Sequence, residues 1–188
     1  MWKYVAALIV GLFPLLGCAQ PTTIAPVSPR TLTAMVEEER MVKVEAEGVT
    51  LYYQAESIWS ESAFATILQN RDGFTSDLIE KFTDDVSEQG DREEHVANAC
   101  VEFNEDGKST IFTCDIEGAV RKNGSRYNAT FFWLLRPLGL DFIDDDFEES
   151  ERGLFWEGPI NGTPTSIAIT LPASIGHCHA HVWWELSP

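Results

Sequence analysis

An α+β fold is predicted for this 188-residue chain, with a mostly antiparallel sheet of about six to eight strands in a meander and one or two helices packed on one face. Three observations carry that expectation. A stretch with period-two alternation comes first, a single region of helical spacing follows it, and the chain after Gly90 breaks into short β-rich runs separated by turn residues.

The first folded stretch, "RMVKVEAEGVTLYYQAE", alternates Val42, Val44 and Ala46 with Lys43, Glu45 and Glu47, as a strand with one wet face requires. Glu47-Gly48 then suits either a hairpin turn or a bend in one long strand. From Ser60 the period changes. "SESAFATILQNRDG" begins with serines that cap helices, and "TSDLIEKFTDDVSEQG" sets Leu78, Ile79, Phe82 and Val86 at helical spacing, with Asp77, Glu80, Asp84 and Asp85 outside. Two short helices, or one helix broken near Asp72-Gly73, satisfy the pattern. Strand-like runs follow at 95–103, 110–121, 126–135, 154–160, 165–171 and 178–184. "KNGS" at 122–125 and "INGT" at 160–163 place Asn-Gly where a two-residue hairpin loop needs positive φ, and "NEDGK" at 104–108 is a looser third turn. In "YNATFFWLLRPLGLDF", Tyr127, Phe131, Trp133 and Leu135 would occupy one face of a strand, and Phe132 and Leu134 the other. Such a strand is covered on both sides.

Ahead of the folded part, "MWKYVAALIVGLFPLLGCAQ" places Lys3 before an apolar run from Val5 to Leu16 that is too short to cross a bilayer. A cation, a short apolar middle and small residues at the end make a secretory signal. Leu15-Leu16-Gly17-Cys18 resembles the lipobox of prokaryotic membrane lipoproteins. The resemblance implies a signal peptide over 1–17, a diacylglyceryl group on Cys18, and a protein exported across the cytoplasmic membrane and anchored by lipid at the outer face of a membrane of the cell envelope. Residues 18–34 then form a Pro/Thr-rich tether with Pro21, Pro26 and Pro29, reaching on the order of 50 Å if extended. Residues 35–188 suit one globular domain.

The net charge of −17, about −18 once Lys3 leaves with the signal, argues against binding nucleic acid or anionic lipid through whole-chain electrostatics. The expected partner is the membrane, through the N-terminal lipid. "DFIDDDFEESER" holds seven carboxylates but has no EF-hand spacing, and reads as a solvated loop.

Cys100 and Cys114 flank the "NEDGK" turn symmetrically, so a cross-strand disulfide is predicted between them, unless a bulge sends them to different faces; a pairing through Cys178 is the alternative. "HCHAHVWWEL" gathers His177, His179 and His181, three of the four histidines in the chain. On one strand they would share a face with Trp183, with Cys178, Ala180, Val182 and Trp184 opposite. Same-face neighbours lie about 6.6–6.8 Å apart, so two of the three imidazoles could converge on Zn or Cu, completed by a ligand such as His95, Asp115, Glu117 or Glu157. A polar stripe with no metal fits the same pattern.

No Gly-rich phosphate loop, no Gly-x-Ser-x-Gly nucleophile turn and no cysteine in a plainly basic setting occurs, which argues against hydrolase or nucleotide chemistry. The function expected is that of a membrane-anchored extracytoplasmic lipoprotein with a non-catalytic binding or interaction domain. Two alternatives stand beside it: a metal-binding lipoprotein that uses the C-terminal histidines, and a carrier of a small apolar ligand.

Overall fold

A computed structural model of the chain describes residues 36–89, 93–137, 139–140 and 143–186. The signal, Cys18 and the tether lie outside them. Strands β1 (Glu37–Glu47) and β2 (Thr50–Trp59) form a hairpin whose turn contains Gly48 at φ +63°. A positive φ there is inexpensive only for glycine. Helices α1 (Glu61–Gln69) and α2 (Arg71–Gln89) follow. Ser60 caps α1, its Oγ accepting from the Ala63 amide at 3.4 Å. The break falls at Asn70 (φ −135°, ψ 49°), whose carbonyl already accepts from the Phe74 amide and so starts α2, leaving Gly73 inside that helix.

The chain continues through β3 (His95–Asn104), β4 (Ser109–Glu117), β5 (Val120–Asn123), β6 (Arg126–Thr130), the single turns α3 (Phe132–Leu135) and α4 (Ile143–Asp146), and strands β7 (Glu148–Ser150), β8 (Gly153–Ile160), β9 (Thr163–Thr170), β10 (Ile175–Cys178) and β11 (His181–Glu185). These strands form two sheets rather than one, ordered β3-β4-β2-β1-β9-β8-β7 and β10-β11-β6-β5. The fold is α+β and sheet-rich, as expected, but the single meander of six to eight strands is not what forms. The chain leaves the first sheet after β4, builds half of the second, returns for β7 to β9 and leaves again. One pairing, β1 with β9, is parallel. Its register sets Val42 beside Ile167 and Val44 beside Ile169, all four buried, so the pairing is held by a shared apolar stripe that would look the same in either direction.

Two long runs break for local reasons. Gly118, at φ +81°, ends β4 and passes the chain to the second sheet, so 110–121 splits. The run 126–135 stops at Thr130, because the Phe131 carbonyl accepts from the Leu134 and Leu135 amides and closes a helical turn. The core fills the space between the sheets: Val44, Leu51, Ile116, Ile167 and Ile169 from the first meet Tyr127, Ala129, Val182 and Trp184 from the second, with Phe131 and Trp133 between. Helix α2 covers the β2–β4 half of the same face. Phe82 sets its ring 4.6 Å from Tyr53 and 5.0 Å from Phe112, and Val86 is fully buried. Full burial of a side chain such as Val86 contributes about 1.5–3 kcal/mol.

Candidate functional site

The stretch "HCHAHVWW" is a hairpin, not one strand. His177 and Cys178 end β10, His179 and Ala180 form the turn, and His181 opens β11. No glycine marks the turn; His179 itself takes φ +59°. Two contacts from elsewhere impose it. The His179 carbonyl accepts from the Ile143 amide, and the Ala180 carbonyl accepts from the Phe131 amide, each at 3.0 Å, while Ala180 is wholly buried.

Folding the stretch back on itself redistributes the histidines. Residues directly opposite across a hairpin share a face. Cys178 opposes His181, and both are exposed; His177 opposes the buried Val182 on the other face. His177 is mostly covered there, with Nε2 3.1 Å from Glu149 Oε2. His181 instead packs edge-on to Phe132 at 5.5 Å between ring centroids. The common face expected for His177, His179 and His181 therefore does not form, and Cys178 leaves the face it was expected to share with Ala180, Val182 and Trp184. What the hairpin brings together is Cys178 and His179, with Sγ 3.2 Å from Nδ1. A thiol and an imidazole at that spacing offer two ligands to a soft ion. Among the described residues, no three His, Cys, Asp or Glu side chains are grouped so as to hold one metal ion. Of the other ligands considered, His95 pairs with Glu117 at 3.0 Å, and Asp115 accepts from Asn98 Nδ2 at 2.7 Å.

The predicted Cys100–Cys114 disulfide is also corrected, and the cause is the bulge. Ala97 opposes Asp115 while Cys100 opposes Thr113, so Asn98 and Ala99 together stand against Cys114. Asn98, at φ +52°, is the residue that absorbs the extra length. Cys100 is thereby turned to solvent while Cys114 faces the core, and all three described cysteines are free thiols.

The groups with clearly displaced ionisation at this core are inert ones. Burial raises the Tyr53 hydroxyl above its ordinary range and lifts the Cys114 thiol to about 12. Neither is activated as a nucleophile would be.

One feature had no single-residue signal. Residues 118–140 contain Arg121, Lys122, Arg126 and Arg136 and no Asp or Glu. In a chain with 30 acidic and 13 basic residues, that gap is legible as a charge pattern, although the face it builds depends on how β5, β6 and β11 pair. No protein-family model matches the chain, and neither a curated protein nor a solved structure matches it.

Proposed function

We propose that the chain is an extracytoplasmic, lipid-anchored binding protein, held to the outer face of a prokaryotic membrane through Cys18 and presenting its two-sheet domain at the end of the 18–34 tether. The observation that carries the reading is Leu15-Leu16-Gly17-Cys18 at the end of the apolar run. A lipid there supplies about 0.8 kcal/mol per buried methylene, enough for anchoring when several chains act together. The mass of the mature protein and its membrane fractionation test this. Cys18→Ser is expected to block acylation and leave the precursor uncleaved or misprocessed; an unchanged mass and unchanged fractionation overturn the anchor.

The contact between Cys178 and His179 favours a second reading, capture of Zn or Cu through that pair with further ligands from outside it. Elemental analysis of the same untagged preparation tests it: stoichiometric metal that Cys178→Ser removes is the supporting result, and metal-free protein the opposing one.

A further inference from the structure

We infer that Cys178 is a thiol–disulfide exchange site: its sulfur takes up half of a small organic disulfide as a mixed disulfide, and the His179 imidazole receives the thiol proton. The inference is independent of the lipid anchor, and it uses the same Cys178–His179 contact as the metal reading.

The C-terminal hairpin builds the site on the outer face of the four-stranded sheet. His179 Nδ1 lies 3.2 Å from Cys178 Sγ, the spacing at which a base activates a nucleophile. Two carbonyl hydrogen bonds, from the Ile143 and Phe131 amides, and the burial of Ala180 fix the turn with His179 at φ +59°, so the pair is held in place. Cys178, His181 and Thr130 stand in one row across β10, β11 and β6 and share a face. A second imidazole therefore stands directly across the hairpin from the thiol. Beside it, the Thr130 hydroxyl donates to the buried Glu94 carboxylate at 2.5 Å. The neighbouring row is Gly176, Trp183 and Asn128. The Trp183 indole lies over Gly176, where any Cβ would stand 2.5 Å from the ring, and Arg126 sets its guanidinium 5.0 Å from that ring. Gly176 and Cys178 are same-face neighbours about 6.6–6.8 Å apart, so the indole flanks the thiol. Cys178 is exposed yet bordered by one indole and two imidazoles, a setting that admits a small disulfide to the sulfur more readily than the surface of a folded protein.

The other two described thiols differ in kind. Cys114 faces the core, and burial lifts it to about 12. Cys100 is exposed, but it stands across from Thr113 and two residues from Glu102 on the same face, and a carboxylate disfavours a thiolate. Both belong to the seven-stranded sheet, so neither is placed to displace a group from Cys178.

In the exchange step the Sγ–H proton passes to His179 Nδ1 as Sγ attacks one sulfur of R–S–S–R. The new Sγ–S bond forms, the old S–S bond breaks, and RS⁻ leaves and takes up the proton. Cys178 is thereby oxidised to the mixed disulfide, and the small disulfide is reduced to one RSH.

The test mixes the full mature chain, treated with a chelator so that no bound ion masks the thiol, with hydroxyethyl disulfide, which is uncharged and so indifferent to the acidic surface. Mixed disulfide at each cysteine is followed by acid quench and non-reducing peptide mass spectrometry. At about pH 7 an unassisted thiol is only a few per cent thiolate. A fixed base contributes about 10²–10⁴-fold where it takes the proton in the transition state, so Cys178 is expected to react at least about tenfold faster than Cys100. His179→Asn keeps a residue that tolerates positive φ and removes the imidazole; it is expected to bring Cys178 down to the rate of Cys100 and to leave Cys100 unchanged. Cys114 remains unmodified in both proteins if the fold is intact. Equal rates at Cys178 and Cys100 in the unaltered chain overturn the inference, as does a Cys178 rate that His179→Asn leaves unchanged. Should Cys114 become modified in the variant, the two rates in the unaltered chain decide.

Discussion

Replacing Gly118 by Ala is the sharpest test of how the two sheets are joined. Gly118 sits at φ +81°, and a Cβ there would stand 2.0 Å from the Glu93 carbonyl oxygen, where ordinary contact begins at 3.4 Å. The left-handed conformation alone costs a side chain about 1–2 kcal/mol. Loss of unfolded-state freedom returns about 0.4–1 kcal/mol of that. The overlap is with backbone, so the 93–94 segment must move, and two contacts depend on its position. His95 Nδ1 lies 3.2 Å from that same carbonyl, and Glu94, buried at 4% exposure, accepts from the Thr130 hydroxyl at 2.5 Å. Disturbing a buried hydrogen bond to a charged group costs about 1.5–3 kcal/mol. Gly118→Ala should therefore destabilise by about 1.5–4.5 kcal/mol. In a domain of this size that lowers the melting temperature by roughly 3–18 °C. Gly124→Ala is the matched control. Gly124 has φ +65° but nothing within 4 Å of its would-be Cβ, so it should lose only about 1 kcal/mol. Urea unfolding of both variants reads the difference directly. Equal losses would show that backbone strain alone matters at Gly118, and that the close approach of 93–94 to the β4–β5 corner is not a structural constraint.

Two further outcomes follow from the thiols. In the native protein Cys100 and Cys178 should react with a maleimide within minutes while Cys114 stays protected until denaturant is added, and non-reducing peptide mapping should find no Cys100–Cys114 bridge; a mapped bridge would refute the bulge register. Stability should fall as pH rises above about 9, because unfolded Cys114 ionises near its ordinary 9.0 while the folded thiol, lifted to about 12, keeps its proton, and Tyr53 adds the same sign above 10.0. Cys114→Ala should flatten the alkaline slope, measured as the urea midpoint against pH, and an unchanged slope would remove Cys114 as its source.

What was legible in the sequence was governed by local chemistry. Asn161-Gly162 turns its hairpin because positive φ is cheap at both residues, and Gly48 does the same between β1 and β2; in "KNGS" the turn forms one residue later than expected, at Gly124-Ser125, with Asn123 still paired to Arg126 and Gly124 alone at positive φ. Helix α2 follows from the spacing of Leu78, Ile79, Phe82 and Val86, which needs only a sheet to cover it. The tertiary structure decided the rest, and in each case through a distant contact. The C-terminal hairpin turns at His179-Ala180, without a turn residue, because Ile143 and Phe131 donate to its carbonyls and Ala180 is drawn into the core. Only that turn places Cys178 beside His179 and separates His177 from His181. Cys100 and Cys114 part because a bulge at Asn98-Ala99 adds one residue to one strand, and a slip of one residue moves a side chain to the opposite face. Alternation states that a strand has two faces; it does not state which sheet receives it. So the division into two sheets, the parallel β1–β9 pair, and the gathering of Arg121, Arg126 and Trp183 on one face arise only when strands far apart in sequence pair, because burial of one shared apolar core is a property of the assembled sheets and of no single segment.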